Sequence, residues 1–319
     1  MKQNIRTIII PCHNEAVSIG STIERIKAAD PNLQIIVVDN CSTDSTAEVA
    51  ESFGVKVIKE PKKGKGFAFR AGIKHLEPFC ETVLMIDGDD TYLVDSQILK
   101  VSSKAVEEDG IDMVIGVRSQ IPLENEYRSR HFRPGHRFGN DLFSLLNSKF
   151  FGIKLNDALS GFRVMSRGFI DSFLAGASEF ELETELNAHI FLLECSVQEV
   201  SIPYVGREAG SNSKLRTYKD GWKILRKNLI ILKNERPNFV YRFISIPWIL
   251  IGVFLAIRVL NDFINTGLVP KFPSLIASMT SLMISLIYWA TGMILERVRV
   301  QRVAFARFAY LQHRRIIGD

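Results

Sequence analysis

Short apolar runs that stop at polar turns constrain this chain more than any other feature. Thr7–Ile10 is β-branched and ends at Pro11, Leu33–Val38 ends at Asp39, Lys56–Ile58 is a third run, and Thr82–Ile86 ends at Asp87. Between them Ser18–Lys27, Ser42–Phe53 and Phe67–Leu76 read as helices, the first two with serine or threonine placed to cap them. Strand, helix, strand at this spacing predicts βαβ units and a mostly parallel sheet. Continuous rather than alternating apolar runs predict strands covered by helices on both faces. The expected fold class is therefore α/β.

The polar residues fall where such a sheet uses them. Asn14 and Glu15, Asp39, and Asp87 with Asp89 all follow strand ends, and open α/β sheets bind ligands outside the carboxyl ends of their strands. Asp87-Gly88-Asp89-Asp90 crowds three carboxylates into one turn. A divalent cation relieves their repulsion, and Mg²⁺ or Mn²⁺ prefers oxygen donors and diphosphate. Such a metal neutralises a departing nucleoside diphosphate as a Lewis acid. Read alone, the turn is equally a solvated turn or a helix cap. Neither GxxxxGK[ST] nor a GxGxxG after the first strand is present, which removes the common phosphate-loop alternatives. Lys62-Lys63-Gly64-Lys65-Gly66 opens a helix, and reads either as a phosphate-binding helix N-terminus or as a plain surface loop.

The C-terminal third differs in kind. Of 319 residues, 46% are hydrophobic, and the mean hydropathy is +0.09. Two segments account for this, 243–260 and 272–295, the second without a charge. Each matches the roughly 20 residues that span a bilayer. Arg258, near one end of its segment, can snorkel. Lys227, Lys233, Arg236 and Arg242 precede the pair, and Arg297, Arg299, Arg302, Arg307, Arg314 and Arg315 follow it. The positive-inside rule then places both flanks, both termini and the N-terminal domain in the cytoplasm, with a multi-pass anchor. Residues 218–235 carry an apolar stripe and a basic face, as an interfacial helix or an ordinary packed one. The expected division is a catalytic domain over 1–235 and a membrane domain over 236–319 with a basic cytoplasmic tail. The net charge of +5 is too mild to suggest nucleic acid. Cys12, Cys41, Cys80 and Cys195 form no CxxC pair, so neither a zinc ribbon nor a disulfide framework is indicated, and the thiols are expected to be reduced. The apolar run near the N-terminus is too short for a signal peptide.

In order along residues 5–235 stand Pro11-Cys12-His13-Asn14-Glu15, then Val38 to Thr46, Gly64-Lys65-Gly66, Asp87-Gly88-Asp89, Gly116-Val117-Arg118 and Asp157 to Arg163. By these motifs the chain resembles family 2 glycosyltransferases of the GT-A fold, and among them the membrane-anchored polyprenyl-phosphate sugar transferases. The resemblance implies that Pro11, Asn14, Glu15 and Asp39 line the nucleoside pocket, with Lys65 at the phosphates. It implies that Asp87 faces the nucleotide and metal while Asp89 is the main metal ligand. Arg118, Arg137, Ser160 and Arg163 would gather the acceptor phosphate or donor diphosphate, since a guanidinium grips phosphate oxygens in pairs. Asn40 stands where many relatives have aspartate, and Thr91 where many have a metal-binding glutamine, so Asp90 is a further candidate ligand. No QxxRW motif is present, which argues against processive polysaccharide synthases.

The implied reaction is attack by a lipid phosphate oxygen on the anomeric carbon, with inversion, displacing UDP or, less expected, GDP. An anionic nucleophile needs little help from a base, so positioning and charge stabilisation dominate. Asp157 is the carboxylate expected to help or orient. Glu181, Glu183 and Glu185 either close the acceptor side or form a solvated helix face. Lys214, in a polar stretch, is expected to fold over the donor. Transfer to a glycolipid hydroxyl and a non-catalytic membrane scaffold are the competing readings. A homo-oligomer is left open.

Overall fold

A computed structural model describes residues 5–120, 155–173, 182–206, 232–234 and 236–317. Arg137, Glu181, Lys214 and most of the 218–235 segment lie outside the described residues. Contacts divide the chain into two compact units, Met1–Gly221 with Ala306–Asp319, and Trp222–Phe305. The last residues group with the first unit. Within that unit the Tyr310 hydroxyl donates to Asp112, and Arg307 pairs with Glu194 at 2.9 Å.

The first unit is built on a seven-stranded sheet. Its strands are β1 (Ile5–Cys12), β2 (Gln34–Asp39), β3 (Lys56–Lys59), β4 (Cys80–Met85), β5 (Met113–Gln120), β6 (Arg163–Ser166) and β7 (Val197–Tyr204), in the order β3-β2-β1-β4-β6-β5-β7. Four pairings are parallel, and β6 runs antiparallel to both of its neighbours, β4 and β5. The sheet is therefore mostly parallel with one reversed strand.

Alternate residues of each strand serve opposite faces. Ile8, Ile10, Val37 and Leu84 pack with Ile19, Ile23 and Ile26 of α1 (Ile19–Ala29), Ala50 of α2 (Thr46–Ser52) and Leu99 of α4 (Ser96–Glu107). Ile9, Ile36, Val83 and Met85 pack instead with Phe69 of α3 (Lys65–Ile73), Phe169 of α5 (Arg167–Ser172) and Leu186 of α6 (Leu182–Leu193). Helices cover both faces, which is why the buried strands read as unbroken apolar runs. Of the three helices expected here, α1 and α3 start within two residues of their expected places, while α2 begins at Thr46 rather than Ser42 because residues 42–45 are engaged as a loop.

The second unit holds α7 (Pro237–Thr266) and most of α8 (Phe272–Ile317). Pro237 sits in the first helical turn of α7, and Gly267 ends it with φ 69°, the left-handed cap glycine favours. The most apolar 18-residue stretch has a mean hydropathy of 2.3 within Pro237–Thr266 and of 1.4 within Phe272–Phe308. Both are long and apolar enough to cross a membrane, and both run longer than the expected segments. Their surfaces expose Leu250, Phe254, Met283 and Leu286, side chains that water would not tolerate in such number. Where they meet, the Ser278 hydroxyl donates to the Gly252 carbonyl at 2.8 Å, and a Cβ at Gly252 would press on Leu282 at 2.7 Å.

Candidate active site

The turns after β1, β2 and β4 converge at one sheet edge. Asn14 links the first two: its amide donates to Ser42 Oγ at 2.9 Å, and its Oδ1 accepts from the Thr43 amide at 2.7 Å. The buried Glu15 follows, its amide donating to Thr46 Oγ1 at 2.9 Å. Asp39 ends β2, where its Oδ1 accepts from the Ser42 amide at 3.2 Å. Pro11 lies beside Val38 in the β1–β2 register. Three of the four described non-glycine residues with positive φ, namely Asn14, Cys41 and Asp90, lie in these turns. Backbone strain gathered at one edge is characteristic of sites where geometry matters more than stability.

Asn40 anchors the glycine-rich loop. Its Nδ2 donates to the Lys62 carbonyl at 2.7 Å and its Oδ1 accepts from the Gly64 amide at 2.6 Å. An aspartate would offer no donor for that carbonyl. The anchored loop starts α3 at Lys65, whose ammonium lies 2.5 Å from Asp87 Oδ1 and 2.5 Å from Glu183 Oε1. Burial alone would lower the Lys65 pKa, but the two carboxylates outweigh it and hold it above the ordinary lysine value. Glu183 is thus neither a solvated face nor a spectator. Its partner lies 118 residues away in sequence, a pairing no local pattern reveals.

The acidic turn resolves into three different environments. Asp87 faces Lys65 and is backed by Gly161, where any Cβ would overlap its carboxylate. Asp89, 4% exposed, accepts from the Thr91 hydroxyl at 2.6 Å and the Thr91 amide at 3.3 Å. Asp90 turns toward α1, where Arg25 grips it with bonds of 3.0 and 3.1 Å. The Asp90 carboxylate, the further candidate ligand, is thus engaged by a guanidinium. Thr91 orients the carboxylate beside it. Gly88 is required because a Cβ there would lie 2.5 Å from Cys12 Sγ.

The donor set fits a hard divalent cation. Asp89 and Asp87 are the carboxylates that would hold such an ion, leaving further positions for phosphate oxygens and water. Among the described residues no three His, Cys, Asp or Glu side chains form a closed metal shell, so the site would be an open one.

The 155–163 segment closes the site from β6. Asp157 receives both Arg118 Nε at 2.6 Å and Arg118 Nη2 at 2.7 Å, plus the Arg118 amide at 3.2 Å. Burial would lower the Arg118 pKa, but the bonds to Asp157 raise it. Arg118 also sits 5.4 Å from the Tyr204 ring centroid. Tyr204 in turn makes an edge contact with Tyr92 at 5.2 Å, and the Tyr92 hydroxyl accepts from the Gly161 amide at 2.7 Å. Sequence reasoning passed over both tyrosines, since an aromatic beside a strand ordinarily reads as core.

Two residues expected at the phosphates lie in the interior. Arg163 is fully buried; it donates to the Ala158 carbonyl at 3.1 Å, the Ser160 carbonyl at 3.3 Å and Asn187 Oδ1 at 2.8 Å. Burial pulls its pKa down to about 10, against the opposing pull of Glu183 and Asp157. The fold spends this arginine on shaping the 157–161 loop. Ser160 is likewise fully buried, its Oγ accepting from the Phe162 amide at 3.3 Å and lying 3.4 Å from the Tyr92 hydroxyl. Of the expected site residues, Pro11, Asn14, Glu15, Asp39, Lys65, Asp87, Asp89, Arg118 and Asp157 come together at the sheet edge, while Arg163 and Ser160 stand behind it.

Comparison with known proteins agrees with this arrangement. The model of the glycosyl transferase family 2 matches residues 7–174. Glycosyltransferase AglJ of Haloferax volcanii is 30% identical over 260 residues, covering 81% of this chain and 82% of its own. A dolichyl-phosphate hexose transferase of the same organism is 28% identical over 236 residues, 72% of this chain and 94% of its own. Among solved structures, glucosyl-3-phosphoglycerate synthase from Mycobacterium tuberculosis, in complex with Mn²⁺, UDP and phosphoglyceric acid, superposes with a TM-score of 0.56 at 19% identity, over 72% of this chain and 78% of that one. The sheet-edge site and these likenesses lead to one conclusion: this chain belongs to glycosyl transferase family 2.

Proposed function

We propose that this enzyme transfers a sugar from a nucleoside-diphosphate donor, UDP in preference to GDP, to a polyprenyl phosphate at the cytoplasmic face of a membrane. The observation that carries the reading is the acidic turn at the carboxyl edge of the sheet, with Asp89 oriented by Thr91 and Asp87 set against Lys65. The likeness to a dolichyl-phosphate hexose transferase over nearly its whole length supports the acceptor class. Two helices of membrane-crossing length and composition support a lipid substrate, and the basic flanks of the pair support a cytoplasmic catalytic unit.

In this reading an oxygen of the lipid phosphate attacks the anomeric carbon. The bond from that carbon to the donor diphosphate breaks, the nucleoside diphosphate leaves, and the configuration inverts. A Mg²⁺ or Mn²⁺ ion on Asp89 and Asp87 supplies Lewis-acid neutralisation of the diphosphate when bound. The chain's own groups do the positioning. Asn14, Glu15 and Asp39 hold the nucleoside edge, and Lys65 offers its charge to the diphosphate. Arg118, together with Arg137 and Lys214 outside the described residues, gathers phosphate. Asp157 favours a phosphate acceptor over a hydroxyl. It is gripped by Arg118 on both oxygens, which suits an orienting group better than a general base, and an already anionic acceptor needs none.

The reading is tested with a panel of radiolabelled nucleotide sugars, membranes containing the protein and added polyprenyl phosphate. A lipid-extractable product whose sugar is released by mild acid is expected. A lipid product stable to mild acid would instead place the sugar on a hydroxyl.

A further inference from the structure

Each flanking carboxylate of the acidic turn faces a cation of the chain itself. Asp90 meets Arg25, and Asp87 meets Lys65, whose side chain is 13% exposed. Lys65 is held from two sides, since Glu183 on α6 approaches the same ammonium at the same 2.5 Å. Its residue opens α3 directly after Gly64, at φ 141°, so the backbone fixes where the ammonium can reach. On the far side of Asp87, Gly161 leaves no room for a Cβ. Between Lys65 and Gly161 the Asp87 carboxylate is confined. A divalent cation drawing on Asp87 must therefore compete with an ammonium already in place, and the two positive charges repel in a partly buried setting.

We propose that Lys65 is a resident counter-cation that withholds Asp87 from the metal until a nucleoside diphosphate draws the ammonium away. Without nucleotide, a metal rests on Asp89. Diphosphate oxygens then compete with Asp87 and Glu183 for Lys65, and Asp87 is released to the metal. Metal and nucleotide thus bind with positive coupling that passes through Lys65, and linkage makes that coupling reciprocal. Lys65 acts on the metal through Asp87, as a positioning residue. This inference rests on the metal-site reading above and adds an order to it.

The test is Mn²⁺ binding to the detergent-purified full chain, followed by the electron paramagnetic resonance signal of free Mn²⁺, with and without UDP. In nucleotide-free protein, Lys65→Met is expected to tighten Mn²⁺ binding about tenfold, within the usual range of coupling between sites. Asp87→Asn is expected to shift the wild-type affinity less than about twofold, yet to abolish the gain when added to Lys65→Met. A folded Lys65→Met protein with unchanged or weaker Mn²⁺ affinity overturns the proposal. So does a gain that survives Asp87→Asn. Should Lys65→Met fail to fold, the isosteric Asp87→Asn decides alone: a tenfold loss in nucleotide-free protein shows Asp87 ligating despite Lys65 and overturns the proposal. Absence of Mn²⁺ binding to every variant, even with UDP, sinks the metal reading itself, an outcome distinct from these.

Discussion

Gly161→Ala is the sharpest single perturbation the site offers. An ideal Cβ at 161 lies 2.6 Å from Asp87 Cγ and 2.9 Å from its Oδ1, whereas carbon atoms rest comfortably at about 3.5–4.0 Å. Relief requires a shift of roughly 1 Å, and Asp87 is short and pinned at its far end by Lys65 at 2.5 Å. Moving it that far loses a charge-assisted hydrogen bond; moving the 161 backbone loses the bond from its amide to Tyr92, 2.7 Å long. Overpacking of this kind costs about 1–3 kcal/mol, a drop of about 2–12 °C in Tm for a unit of this size. A misplacement near 1 Å at the reacting groups costs about 100-fold in rate. Stability should therefore suffer modestly and kcat/KM severely. The assay is label transfer from the preferred nucleotide sugar to polyprenyl phosphate, with Tm read by scanning fluorimetry. A Gly161→Ala protein with wild-type kcat/KM would refute the claim that Asp87 must stay where it is.

Other substitutions probe other parts of the site. Thr91→Val removes the hydroxyl that orients Asp89 and should weaken Mn²⁺ binding about 10–100-fold, with little change in Tm; unchanged affinity by calorimetry would exclude an orienting role. Arg163→Met strips donors from Ala158, Ser160 and Asn187 and should destabilise by about 1–3 kcal/mol for each acceptor left unsatisfied, read by denaturant titration; a fully stable protein with weakened phosphate binding would support the phosphate role. Burial raises the Tyr92 hydroxyl pKa above its ordinary 10.0. The unfolded chain releases that proton first as pH climbs past 10, so this contribution to stability is complete below pH 10 and is lost above it. Tyr92→Phe should flatten the alkaline fall in Tm, and an identical slope in both proteins would contradict the sign.

The apolar runs revealed β1, β2 and β4 because strands buried on both faces leave little sequence ambiguity. The reversed strand β6 was not legible. Its direction is set by pairing with β4 and β5, partners far away in the chain, and a four-residue run carries no directional signal. Sequence placed Asn14, Glu15, Asp39, Asp87 and Asp89 at one edge correctly, since strand ends are fixed by where hydrophobicity stops. An arginine in a polar motif looks like a phosphate ligand, and only the interior bonds of Arg163 show that the fold consumes it. The same holds for Asp90, whose partner Arg25 stands 65 residues away, and for Glu183, whose neighbours Glu181 and Glu185 suggested a common solvated face. Departures from the family pattern became interpretable once contacts were known: Asn40 ties down the glycine-rich loop and Thr91 steadies Asp89. The helix α8 outruns its apolar stretch because its charged continuation stays helical through Ile317.

Transfer to a lipid phosphate is tested with purified protein given one labelled nucleotide sugar and either polyprenyl phosphate or the matching polyprenol. A lipid-linked sugar is expected with the phosphate acceptor, none with the alcohol, and none from Asp89→Asn protein with either. Equal transfer to the alcohol, or full transfer by Asp89→Asn protein, would contradict it.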